Sequence, residues 1–317
     1  MLQVHKLSLT RARQFIVLGF LLHNRLRRFS VNAYSTAGKK RSLPQPSVIF
    51  ESNHLLALNK PAGWRSIPND GQDDGKCLLQ YCLQQHTFLR PLHRLDQPCT
   101  GVLLYGKSSK SASRIQSQWQ RVHKSYFVVV ARDDWQKNLS PSQQAWTELR
   151  GTEQRRISPN RRETSRTGPS KGASVIMKPI LSSKASSLHD TRQKVSALRY
   201  RTLFLSKQSP VVVLEVETNN GSKHVIRSLL ACHGCPLLGD LRYGAPRALP
   251  DASVALHARR LYLPEDKIVL NLSQRTFVAP IPTNWSAWFG CREADLVKRE
   301  SPSLEHPGSD SKQGESP

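Results

Sequence analysis

The sequence predicts an α+β domain, and three observations carry that prediction. Apolar, β-branched runs outnumber stretches with helical spacing. The two kinds do not follow the regular βαβ order of a doubly wound fold. Turn residues, chiefly Pro, Gly, Asn and Ser, punctuate them. With 317 residues, 38% of them hydrophobic, the chain has material for a sizeable core.

Order begins near Ser47. Val48-Ile49-Phe50 and Leu55-Leu56-Ala57-Leu58, split by Glu51-Ser52-Asn53-His54, form a hairpin-like pair that ends in the turn Asn59-Lys60-Pro61-Ala62-Gly63. Residues 76–86 carry apolar side chains at helical spacing. Val102 to Gly106 is an apolar strand. Residues 108–121 read as a helix with Ser108 or Ser109 as its N-cap. Tyr126 to Ala131 (YFVVVA) is β-branched, hence a strand, as are Ser196–Phe204 and Val211–Val216. Residues 224–233 (HVIRSLLACH) form a helix, followed by a Gly/Pro loop from Gly234 to Gly244. Strands near Leu256–His257 and Lys267–Leu270 close the domain.

Lys and Arg total 47 against 23 acidic residues, a net charge of +24. Such an excess repels itself and normally accompanies a polyanionic partner. Residues 1–50 hold +9 of it, with no acid at all, and residues 137–194 hold +8, which leaves +7 for the rest. The N-terminal segment, about 1–46, has the composition of a transit peptide or disordered leader. Arg25, Arg27 and Arg28 follow FIVLGFLL, where a secretory signal would carry small neutral residues, so the mitochondrion is expected, with the plastid as the alternative. No apolar run reaches the ~18 residues of a membrane span, so no membrane association is expected. The domain is expected to run from 47 to 290, with a basic low-complexity insertion at about 137–194 holding at most short strands near Trp146–Glu148 and Val175–Met177. Residues 291–317 read as a disordered tail. Cys232 and Cys235 form one C-x-x-C without a second ligand pair, so no metal is expected.

Five blocks carry the chemistry. Val48 to Gly63 ends in Lys60-Pro61-Ala62-Gly63. Residues 93–101 read His-Arg-Leu-Asp-Gln-Pro-Cys-Thr-Gly. Lys124-Ser125-Tyr126 opens a strand. Gly221 to Arg227 is followed by Gly234 to Gly244, and Leu256-His257-Ala258 comes last. In order and spacing they resemble the K-P-x-G, H-R-L-D-x-x-T-S-G, K-x-Y, G-R-x-H-Q-I-R with G-x-P-I-x-G-D-x-x-Y-G, and L-H-A elements of the RluA-type pseudouridine synthases. The resemblance covers residues 48–263. It implies a mixed, mostly antiparallel central β-sheet flanked by helices and loops, and an enzyme that isomerises uridine in RNA: ribosomal, transfer or messenger.

That reaction breaks the C1′–N1 bond, turns the base and joins C1′ to C5. Nothing is added or lost, so no cofactor is expected. It needs a carboxylate near C1′ and a base to move protons. The resemblance puts Asp96 in the first role, Arg227 beside it to keep it ionised, and Tyr126 on the uracil face as proton acceptor. Arg94 would fill the space left by the flipped nucleotide. Lys60, Lys107, Lys110, Lys124 and Lys223 are candidate phosphate contacts. His93 belongs with the RNA-contacting set, and like His224 it reads as a hydrogen-bonder and not a catalyst. Asp240 reads as fixing its own loop and Tyr243 as packing. Ser222 stands where the family has Arg, and Val225 replaces Gln. A second reading is therefore a catalytically weakened member serving as an RNA-binding or ribosome-assembly factor. A monomer is expected.

Overall fold

The computed structural model describes residues 43–68, 75–139, 145–155, 175–180, 194–219, 221, 224–264, 272 and 274–300. The leader expected at 1–46 therefore lies outside the described residues except for its last four. So do the strand expected at 267–270 and the end of the tail from 301.

The described residues build a single mixed sheet from eleven strands: β1 Ser47–Glu51, β2 Leu55–Lys60, β3 Arg90–Pro91, β4 Thr100–Gly106, β5 His123–Ala131, β6 Thr147–Arg155, β7 Val175–Ile180, β8 Lys194–Leu205, β9 Val211–Glu217, β10 Leu256–Tyr262 and β11 Thr276–Val278. The order is β1-β2-β4-β10-β5-β9-β8-β6-β7, with β3 pairing β4 and β11 pairing β10. Among these described strands every pairing is antiparallel except β4 with β10. Six helices flank it among the described residues: α1 Leu78–Leu83, α2 Ser109–Ser117, α3 Arg132–Asn138, α4 Val225–Cys232, α5 Asn284–Phe289 and α6 Glu293–Val297.

Strand β5 shows why the apolar run is unbroken. Phe127 and Val129 face Trp285 and Phe289 of α5, while Val128 and Val130 face Leu229 and Leu230 of α4. A strand covered on both faces has no polar side to present. Helix α2 starts where Ser108 and Ser111 exchange side-chain and backbone hydrogen bonds in a capping box. It is shorter than the stretch 108–121, whose end is a 3₁₀ turn, Trp119–Arg121.

Two boundaries differ from expectation. The two strands expected in the basic segment at 137–194 are longer than read, Thr147–Arg155 and Val175–Ile180: as β6 and β7 they extend the sheet, and Leu149 and Met177 are buried in the core beneath α4. Pro179, which has no N–H to donate, lies in β7, the edge strand. The tail expected from 291 is instead folded to residue 300. Cys291 and Leu296 are fully buried, and Arg259 of β10 binds Glu293 at 2.6 Å and Glu300 at 3.3 Å. Burying an arginine demands such partners, and the chain past 290 supplies them.

Candidate active site

The turn between β3 and β4 presents Asp96. Its backbone is pinned three ways. Cys99 N–H donates to the Asp96 carbonyl at 3.0 Å. Ser66 Oγ accepts from Leu95 N–H and donates to the Leu95 carbonyl. Lys60 Nζ donates to the carbonyls of Cys99, Pro61 and Gln97 at 2.6, 3.1 and 3.2 Å. Gly101, next along β4, has φ +115°, and a Cβ there would lie 2.2 Å from the Ala258 carbonyl oxygen. Only glycine lets β4 and β10 approach this closely.

Arg227 arrives from the other half of the sheet, in the first turn of α4. Its Nη1 donates to Asp96 Oδ2 at 2.9 Å. Its Nε and Nη2 donate to Asp240 Oδ2 and Oδ1 at 2.7 and 2.8 Å. The guanidinium also lies 5.2 Å from the centre of the Tyr243 ring. His224 Nε2 stands 3.1 Å from Asp96 Oδ1. Burial alone would raise the Asp96 carboxyl, but His224 and then Arg227 outweigh it and bring it down to about 2. The carboxylate is therefore charged at neutral pH. Burial works against the Arg227 charge too, yet Asp240 and Asp96 hold its pKa above the ordinary value.

A cleft of about 330 Å³ opens over Asp96, lined among others by Arg94, Trp119, Lys124, Tyr126 and Arg227. Its size falls within the range of small-ligand pockets. Tyr126 comes from β5, opposite Val216 and Ala258, and burial raises its phenol. Lys124 Nζ stands 5.6 Å above the Trp119 ring, and burial lowers its pKa.

The fold thus brings Asp96, Tyr126, Arg227, Arg94, His93 and Lys124 to one cleft. It does not bring the rest. Lys60 is fully buried, with its ammonium turned onto three carbonyls, so it holds the Asp96 turn and cannot meet phosphate. Lys107 is paired with Glu51 at 2.5 Å and does not line the cleft. Lys223 and Ser222 lie outside the described residues. His93 accepts a hydrogen bond from Leu104 N–H at 3.1 Å and stacks on Trp119. Burial, then Lys124, pushes it down to about 3, so it is a neutral wall and not a phosphate-binding cation. Asp240 does more than fix its loop, since both its oxygens hold Arg227. The signal was present in the D-x-x-Y-G spacing, which sets Asp240 and Tyr243 together against Arg227.

Among the described residues no cluster of three or more His, Cys, Asp or Glu could hold a metal ion. Cys232 Sγ donates to the Leu229 carbonyl and Cys235 is buried in the core. No described helix is long and apolar enough to cross a membrane.

Comparison with known proteins agrees with this geometry. Residues 54–232 match the family model described as RNA pseudouridylate synthase. The chain is 26% identical over 225 residues to an uncharacterized RNA pseudouridine synthase, YhcT, of Bacillus subtilis, covering 68% of this chain and 62% of the relative. It is 26% identical to the ribosomal large subunit pseudouridine synthase C of Rickettsia typhi, covering 69% of this chain and 63% of that one. With the tRNA pseudouridine synthase C of Salmonella typhimurium identity is 27%, over 70% of this chain and 79% of that one. The chain thus spans a little under two thirds of the length of the first of these relatives. Among solved structures, human RNA pseudouridylate synthase domain containing 1 superposes with a TM-score of 0.55 at 20% identity, covering 78% of this chain and 89% of that one. That likeness supports the fold. The chain belongs to the RNA pseudouridylate synthase family, in its RluA-type branch.

Proposed function

We propose that the protein isomerises uridine to pseudouridine in organellar RNA, with Asp96 as the nucleophile. A flipped uridine enters the cleft while Arg94, exposed at its edge, stacks into the vacated space. The Asp96 carboxylate attacks or stabilises C1′ as the C1′–N1 bond breaks, and Arg227 keeps it ionised. The uracil turns and C5 joins C1′. A proton leaves C5 and N1 gains one, so atoms and charge balance. Tyr126 stands against the sugar and base, and the proton that it accepts from C2′ as N1 leaves returns to C2′ when C5 joins C1′; Lys124 meets a backbone phosphate.

The observation that supports this most is an acid kept charged, near pKa 2, beneath a cleft of nucleoside size. An RNA-binding factor without turnover would gain nothing from a carboxylate facing phosphates. The leader composition supports import into mitochondria. The test is a map of pseudouridine in mitochondrial RNA with and without the protein, repeated with Asp96→Asn. One or more uridines modified only by the parent protein is the expected result. Equal modification by the variant sinks the nucleophile assignment, and an unchanged map sinks the choice of organelle.

A further inference from the structure

The Asp96 carboxylate is gripped on both oxygens, yet the reaction described above uses only one of the grips. Arg227 Nη1 meets Oδ2 at 2.9 Å, and His224 Nε2 meets Oδ1 at 3.1 Å. Three features distinguish His224. First, it precedes α4 with φ +60° and ψ +19°, in the left-handed region that glycine adopts freely and side chains with a Cβ resist. A residue serving only the turn would be better as glycine. Second, its side chain is 7% exposed yet lines the cleft. Third, its other nitrogen is also engaged: Nδ1 lies 3.0 Å from the Tyr243 hydroxyl, and the two rings meet edge to face at 89°.

These contacts select one tautomer. An ionised carboxylate only accepts, so Nε2 carries a proton, and where the ring holds a single proton it is this one. Nδ1 then carries the lone pair and the Tyr243 O–H donates to it. Donors and acceptors run in one direction, from Tyr243 through His224 to Asp96.

We infer that His224 is a positioning residue: with its tautomer set by Tyr243, it fixes the plane of the Asp96 carboxylate while Arg227 holds the other oxygen. The inference rests on the nucleophile reading proposed above. With one grip the carboxylate would swing about its Cβ–Cγ bond. With two it is held in register with C1′, where a misplacement of ~1 Å costs on the order of a hundredfold in rate.

The test uses the full-length protein and mitochondrial RNA from cells lacking it, in single turnover with enzyme in excess. His224→Gly relaxes the backbone and removes the donor, whereas His224→Gln retains a donor of similar reach. The folded glycine variant is expected to lose about tenfold to a hundredfold in maximal rate, the scale on which outer hydrogen-bond partners act. Its half-saturating enzyme concentration should barely change, and the glutamine variant should recover part of the rate. Full rate in His224→Gly, or weaker binding in place of slower turnover, overturns the inference. A second readout needs no RNA: selective ¹⁵N-histidine labelling, with the His224 signal identified by its absence from His224→Gly. The Nε2–H tautomer is expected in the parent and a mixture in Tyr243→Phe. An Nδ1–H tautomer in the parent overturns the inference. An Nε2–H tautomer in a protein that modifies no uridine means that the isomerase reading has failed while the hold on Asp96 stands.

Discussion

Asp240 holds Arg227 through two parallel hydrogen bonds, at 2.7 and 2.8 Å, and both side chains are sealed from solvent. Such a pair is strong because its charges are already desolvated and geometrically matched. Asp240→Asn leaves a buried guanidinium short of one anion. The expected loss is about 3–5 kcal/mol of unfolding free energy in urea, together with loss of turnover. Arg227→Lys should not rescue either, because an ammonium cannot span two carboxylates with a planar fork.

Acid should unmask the Asp96 contribution. The folded carboxyl sits near 2, below its ordinary 3.8. Between those values the unfolded chain binds a proton that the folded chain does not, so stability falls as pH falls. The contribution, about 2 kcal/mol, is complete above roughly pH 4 and lost as pH drops through 2. Urea unfolding of the parent and of Asp96→Asn should therefore converge as the buffer is taken from pH 7 towards 3. A gap that stays constant would mean that the carboxyl has the same pKa folded and unfolded, so that His224 and Arg227 do not favour its charged form.

Two lysines close in sequence role should behave differently toward salt. Lys124→Met removes a cation at the cleft, so the slope of log affinity against log salt should flatten by about 0.7 to 0.9. Lys60→Met removes a buried clamp whose ammonium, lowered by burial to about 8, is still charged at pH 7. Its salt slope should match the parent, while turnover falls because the Asp96 turn loosens. A flattened slope for Lys60→Met would contradict its burial.

Gly101→Ala should be among the most damaging single changes. The new Cβ would meet backbone on β10, at 2.2 Å from oxygen and 2.5 Å from nitrogen of Ala258, and neither can rotate away. A loss of about 3 kcal/mol or more is expected, measured as a fall in the urea midpoint.

Much of the fold was legible where burial is local. YFVVVA is apolar or aromatic throughout, and VVVLEV is apolar except for Glu215, which is buried against Arg201 and Ser125, because both faces of these strands are covered. The partner order was not legible. Strand β10, late in the chain, lies between β4 and β5, and no local pattern encodes that parallel contact. Helices α5 and α6, six and five residues long, are too short for a periodic signal to rise from a window of about 11 residues or more. In the site, Asp96, Tyr126 and Arg227 were readable through the five blocks. Lys60 misled because a lysine reads as surface charge, and only three carbonyls converging on one turn overturn that. His224 reads as a hydrogen-bonder and Asp240 as a loop acid, but the groups that they grip, Asp96 and Arg227, come from distant segments that no local pattern pairs with them.

The two halves of the site come from distant parts of the chain: 131 residues separate Asp96 from Arg227. A nascent or clipped molecule ending before residue 227 carries the acid without its guanidinium. Such a molecule also lacks α4 and β10, the strand that pairs β4 beside the Asp96 turn, so the cleft walls at His224–Arg227 and Leu256 are missing and the acid stays in water. The pocket is thus assembled last, once the late helix and strand have docked on the early half.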